Sequence, residues 1–235
     1  MFAILATGAS AQSVDDILTK YFENIGGISN WKALQSMKIE GSMSMQGMDL
    51  DFNMVTKRPD LQRMQIKVQG MEIVQAYDGK DAWMINPFAS GTEPVKLTGE
   101  EAKEMTDRKF EDEFIDYKSK GHEVTLLGQE EIDGVKCHKV QIIKNKNNDK
   151  EDVTEIHYFD AENFVPIMVV AYARSGPNKG AESNTFMSDY QEVNGLMIPF
   201  STETKMNGQS LMKMTLKNVS LNEQVDDSIF AFPKK

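Results

Sequence analysis

Three histidines and a single cysteine are the side chains of this chain best suited to nucleophilic or metal chemistry, and their spacing serves neither. His122, His138 and His157 fall on three separate strand-like segments, without the close pairing that lets two imidazoles grip one ion. Cys137 and His138 are adjacent in a stretch of strand period, so their side chains leave opposite faces. Surface or edge positions are therefore expected for the histidines. The chain contains no Gly-x-Ser-x-Gly elbow, no phosphate-binding glycine loop and no His-Glu-x-x-His. Asp15-Asp16 and Asp226-Asp227 read as a helix start and a tail turn rather than acid-base dyads. The residues point away from catalysis, and they call for no cofactor and no metal.

Methionine is the unusual component, with 16 in the chain. Met43, Met45, Met54, Met64, Met212 and Met214 share the phase of Phe52 and Ile66 along alternating segments. An unbranched, polarisable side chain adapts to irregular apolar shapes, so these eight residues and Trp83 are candidates for lining a cavity for acyl chains. Ordinary core filling is the alternative for the methionines, and a core role is the plainer one for Trp83. Arg58, before Pro59 at the end of a strand pattern, is by itself an ordinary solvated arginine.

The elements that must hold these residues are mostly strands. Ser13 precedes Val14, Ile17, Leu18, Tyr21 and Ile25 at helical spacing, with Asp15 and Asp16 in the first turn, and Gly26-Gly27 ends the helix. From Met37 the period changes to two. Alternation runs over 37–45, 50–54, 61–68, 71–77 and 82–85, then resumes over 122–127, 135–143, 153–159, 164–173, 183–192, 196–204 and 211–221. Asp133-Gly134, Asn194-Gly195 and Asn207-Gly208 mark tight hairpins. Between the two groups, Thr98 and Glu101 form a capping-box pattern opening a helix to about Arg108, and Phe114 to Lys118 suggests a second helical stretch. The expected fold is mainly β with covering helices (α+β), an incompletely closed antiparallel barrel of about 11 strands enclosing an apolar cavity.

Composition narrows the partners. With 235 residues, 40% of them hydrophobic, the chain suits one domain, placed at residues 12–235. A net charge of −10 without basic clusters argues against nucleic acid and anionic membrane surfaces. Residues 1–11 are apolar and end in Ala9-Ser10-Ala11, which reads as the residue of a cleaved signal peptide and predicts an exported protein. No stretch approaches the roughly 18 apolar residues of a membrane span. Cys137 stands far from that cleavage point, so a lipid-acceptor cysteine is not expected.

Lys57-Arg58-Pro59-Asp60-Leu61, followed by Asp78-Gly79-Lys80, Trp83 and Asn86-Pro87-Phe88, resembles the outer-membrane lipoprotein-sorting proteins, the periplasmic carriers of the LolA type. The position of the Thr98 segment and the strand-rich second half extend the resemblance over most of residues 12–235, whereas the specific motifs occupy only a short stretch. The resemblance implies a half-open barrel with helices as a lid. It implies a periplasmic carrier, expected to be monomeric, that takes lipoprotein acyl chains or other lipid from an inner-membrane transporter and passes them to an outer-membrane acceptor. Arg58 matches the family arginine that latches the lid to helix carbonyls, a task suited to its fixed fork of donors. A lipid-sensing interaction module of the same fold is the main alternative, and a barrel hydrolase is a third. Co-purified lipid separates the carrier from the hydrolase. Greater length and a second half that matches only in pattern set the chain apart from the best-known carriers, which leaves its cargo and partners open.

Overall fold

A computed structural model describes residues 12–45, 47–146, 152–174 and 178–233. The expected signal segment at 1–11 lies outside the described residues.

Among the described residues thirteen antiparallel strands form one open sheet: β1 (Ser36–Met45), β2 (Met48–Lys57), β3 (Leu61–Val68), β4 (Met71–Tyr77), β5 (Ala82–Asn86), β6 (Gly91–Lys96), β7 (Glu123–Ile132), β8 (Val135–Lys144), β9 (Val153–Asp160), β10 (Pro166–Tyr172), β11 (Glu182–Val193), β12 (Leu196–Met206) and β13 (Gln209–Leu221). Their order across the sheet is β6-β5-β4-β3-β2-β1-β13-β12-β11-β10-β9-β8-β7. The two halves of the chain are thus meanders that run outward from a central β1/β13 seam, and the mid-chain strands β6 and β7 are the edges. The sheet is mainly β and open, as expected in outline.

Strand β6 was not anticipated. Its sequence, Gly-Thr-Glu-Pro-Val-Lys, has no apolar alternation and carries a proline, which only an edge tolerates. The anticipated hairpin turns have the geometry that their residues favour. Asp133-Gly134, Asn194-Gly195 and Asn207-Gly208 each place both residues at positive φ, the two-residue turn that matches strand twist.

Among the described residues three α-helices accompany the sheet, α1 (Val14–Asn24), α2 (Ile28–Ala33) and α3 (Gly99–Asp107), with a short 3-10 turn at Asp227–Ile229. Ser13 and Asp16 make a reciprocal capping box on α1, satisfying two of the free N–H groups at its start. Thr98 does stand at the N-cap of α3, but its side chain makes no capping hydrogen bond, so the capping-box reading fails there. The second expected helix is also corrected: residues 113–121 form successive turns.

Ile17, Leu18, Tyr21 and Phe22 of α1, with Ile25 at its C-cap, pack with Phe114, Ile115, Val140, Ile142, Phe159 and Phe164. The face of the sheet that carries this cluster is its inner face. At the end of α1 the chain must pass close to another backbone: a Cβ on Gly26, whose φ is +106, would sit 2.0 Å from the Gly195 carbonyl oxygen. That approach, with Met197 N–H donating to Ile25 O at 3.1 Å, fixes where α2 begins.

Candidate functional site

Strand register brings the methionines together. Met45 pairs with Met212, Met43 with Met214 and Ile39 with Val219 across the seam. Met43 faces Leu50, Gly41 faces Phe52, and Ile39 faces Met54. Met54 in turn faces Met64, and Phe52 faces Ile66. Directly paired side chains lie on one face, so Met43, Met45, Phe52, Met54, Met64, Ile66, Met212 and Met214 form one wall. Phe52 and Met43 are buried, at 1% and 2% exposure. Met45, Met54, Met64, Ile66, Met212 and Met214 remain half-exposed, an apolar surface still open to another occupant. Gly41 belongs to the same design: a Cβ there would meet the Phe52 ring at 2.7 Å and Thr215 O at 2.5 Å.

Trp83 is not part of this wall. It pairs with Ala76, and Val74 with Ile85, on the opposite face of β4 and β5. There it packs with Val74, Ala76 and Phe232. Its Nε1 donates to Phe230 O at 2.7 Å, so it holds the C-terminal segment against the outer face.

Arg58 lies where α2 meets the wall. Its Nε donates to Leu34 O at 2.6 Å, its Nη2 to Trp31 O at 3.1 Å and its Nη1 to Glu111 Oε1 at 3.0 Å. One guanidinium thus joins the C-terminal carbonyls of α2 to the segment that follows α3, and Phe110 stacks beside it at 5.1 Å. The Arg58–Pro59 peptide is cis. Trp31, whose carbonyl it holds, packs against both the α1 cluster and the methionine wall.

The segment 108–121 is a strap pinned by three consecutive acids. Glu111 takes Arg58 and Lys120. Asp112 accepts from Tyr21 Oη at 2.6 Å, which ties the strap to α1. Glu113 reaches Lys144 of β8 at 2.7 Å and His157 of β9 at 2.8 Å. Burial pushes Glu111 up, but hydrogen bonds from Lys120 and Arg58 outweigh it and hold its carboxyl below the usual range. At Asp112 burial prevails and the carboxyl is raised. Burial also acts on Glu113, where His157 and Lys144 reverse it and depress the carboxyl. His157 is driven down by burial and up by the Glu113 and Glu155 carboxylates, which carry it to about 9.

Arg58, the three strap acids and Lys144 border a cavity of about 1110 Å³ whose walls also include Asp60 and Arg174. None of the expected cavity residues lines it. Among the described residues the expected cavity residues form an open apolar wall, and the cleft beside it, which shares Trp31 with that wall, mixes charged groups with Phe110 and Tyr172.

The histidine expectation is also corrected. His138 and His157 are buried, at 3% and 7% exposure. His138 stacks on Phe164 at 5.5 Å. Cys137 does leave the opposite face, within a buried cluster with Tyr158, Met168 and Val170. What sequence reading missed is the grouping of Glu113, Lys144, Glu155 and His157. Glu155 and His157 share a strand phase, which was visible, but their partner Glu113 sits in the strap and no local pattern announces it.

Among the described residues no helix is long and apolar enough to cross a membrane. A family model described as an uncharacterized protein matches residues 61–232. No curated protein matches the sequence. Solved structures share the fold. A DUF1329 family protein from Desulfovibrio piger is 13% identical, with TM-score 0.62 and coverage of 94% of this chain and 98% of that one. A LolA superfamily protein from Nitrosomonas europaea is 14% identical, with TM-score 0.59 over 94% and 98% of the two chains. A candidate outer membrane lipoprotein-sorting protein domain from Vibrio parahaemolyticus is 10% identical, with TM-score 0.59 over 92% and 94%. At these identities the likeness is one of fold: the chain has a LolA-like open sheet.

Proposed function

We propose that this chain, which belongs to the family matched over residues 61–232, is a periplasmic carrier that holds lipoprotein acyl chains or another lipid against its methionine wall. The observation that carries this reading is the Arg58 guanidinium, bonded to the Leu34 and Trp31 carbonyls, with Trp31 packed against the same buried cluster as half-exposed Met54 and Met64. An acyl chain laid on that wall gains about 0.8 kcal/mol for each methylene it buries, so a long chain on an unguarded wall would scarcely leave. A latch that must open first subtracts its own closing free energy from the affinity and leaves a downhill step to an acceptor. The names carried by two fold relatives, a LolA superfamily protein and a candidate lipoprotein-sorting domain, favour the same reading. In this scheme the chain receives cargo from an inner-membrane transporter and yields it to an outer-membrane acceptor.

Calorimetric titration with a long-chain fatty acid tests the carrier reading. Binding with a negative heat-capacity change, weakened at least tenfold by Met64→Glu, is the expected result. Absence of binding to fatty acid, phospholipid and lipopeptide alike, or binding that Met64→Glu leaves unchanged, would overturn it.

A further inference from the structure

Glu113, Glu155 and His157 converge where the strap meets β9, and we infer that they form a binding site for a divalent first-row transition ion, zinc being the best match to one imidazole and two carboxylates. Their donor atoms all lie within 4.8 Å of one another. His157 Nε2 is 2.8 Å from Glu113 Oε1 and 3.4 Å from Glu155 Oε2. Despite these distances, the buried nitrogen has no hydrogen-bond partner of acceptable geometry. The oxygens are close to it without lying along the line on which an imidazole bonds. For the two imidazole–carboxylate pairs, donors that share an ion have this relationship, and the two carboxylate oxygens have only to close on the metal as it enters. Two atoms each about 2.0–2.1 Å from one zinc, at about 90–110° to each other, are separated by about 2.8–3.4 Å and point at the metal rather than at one another.

The surroundings suit the assignment. Lys144 takes the opposite oxygens, Oε2 of Glu113 at 2.7 Å and Oε1 of Glu155. It therefore turns the remaining oxygen of each carboxylate toward His157, as outer groups do around metal ligands. Phe114 packs edge-on to the imidazole at 4.9 Å and limits its rotation. Glu113 and Glu155 also border the charged cleft, whereas His157 stands behind it, so the unfilled side of the site faces the cleft. Two carboxylates and one ammonium sum to one negative charge. A divalent ion makes the site singly positive and able to take an anionic ligand from the cleft. The rival occupant is a proton on His157, which balances the same charges without metal.

Zinc titration of the chelator-stripped full chain, followed by calorimetry, separates the two. The site predicts one equivalent of zinc bound, lost by roughly a hundredfold or more in His157→Gln and Glu155→Gln and kept in His122→Gln. A readout that needs no variant is cobalt(II) substitution, which should give visible absorption and hyperfine-shifted ring resonances from one histidine, His157. No binding of zinc or cobalt, binding that survives His157→Gln, or a shifted histidine other than His157 would each overturn the assignment and leave the proton as the occupant.

Discussion

Replacing Arg58 with leucine should loosen the protein while tightening its hold on lipid. The guanidinium makes three hydrogen bonds, at 2.6 and 3.1 Å to backbone carbonyls and 3.0 Å to the Glu111 carboxylate. Hydrogen bonds to charged groups are worth about 1.5–3 kcal/mol each when sheltered. The Arg58 side chain keeps 23% exposure, so about 1 kcal/mol per bond is the sounder figure, or about 3 kcal/mol for the latch. At about 1.4 kcal/mol per decade, that moves the closed-to-open ratio by roughly a hundredfold. Arg58→Leu should therefore lower the melting temperature and, where the empty protein is mostly closed, strengthen fatty-acid binding by up to about a hundredfold. Arg58→Lys should fall between, since an ammonium can serve one carbonyl but lacks the planar fork. Displacement of a fluorescent fatty acid gives the affinities, and transfer to acceptor vesicles gives the release rates. The reasoning fails if Arg58→Leu melts lower but binds and releases the probe like the parent, because the arginine would then be a structural tie and nothing more.

Three further outcomes are expected. The depressed Glu111 carboxyl contributes stability that is present above its unfolded pKa and is lost as pH falls through the folded one, so the protection factors of strap amides, taken relative to the intrinsic exchange rate at each pH, should fall in acid, and less so in Glu111→Gln. Gly41→Ala should cost about 1–3 kcal/mol in denaturant titration, because the new methyl meets both Phe52 and the Thr215 carbonyl, and an unchanged midpoint would contradict the packing described. Trp83→Phe should leave Phe230 O without its donor, cost about 1–3 kcal/mol and speed proteolysis near Phe232, yet leave lipid affinity alone because it acts on the outer face.

Much of the fold was legible because its signals are local. Alternation marked the strands of both meanders, and the Asn-Gly and Asp-Gly pairs marked turns whose positive φ other residues resist. Where the signal was tertiary it failed. Strand β6 is held by pairing with β5 rather than by any preference of its own. Residues 113–121 have helix-like composition, but the strap spends its side chains on Tyr21, Arg58, Lys144 and His157, and those anchors dictate turns. The methionine wall followed from strand phase alone. Trp83 did not join it, since its face is set by pairing with Ala76 two strands beyond the wall. The carbonyl partners of Arg58 came from resemblance and not from the residues. Its third partner, Glu111, was not foreseen, as no sequence rule links positions so far apart.

The central seam gives the molecule an order of assembly. Within each meander, neighbouring strands are joined by short connections and can zip as local hairpins, whereas Met37 must find Leu221 across nearly the whole chain. That closure carries the largest loop entropy and belongs late in folding. The facing pairs Met43–Met214 and Met45–Met212 exist only once it is complete. A surface split in this way between the first and last strands is complete only when the seam is closed. By mass action, a ligand that spans these pairs would hold the seam closed.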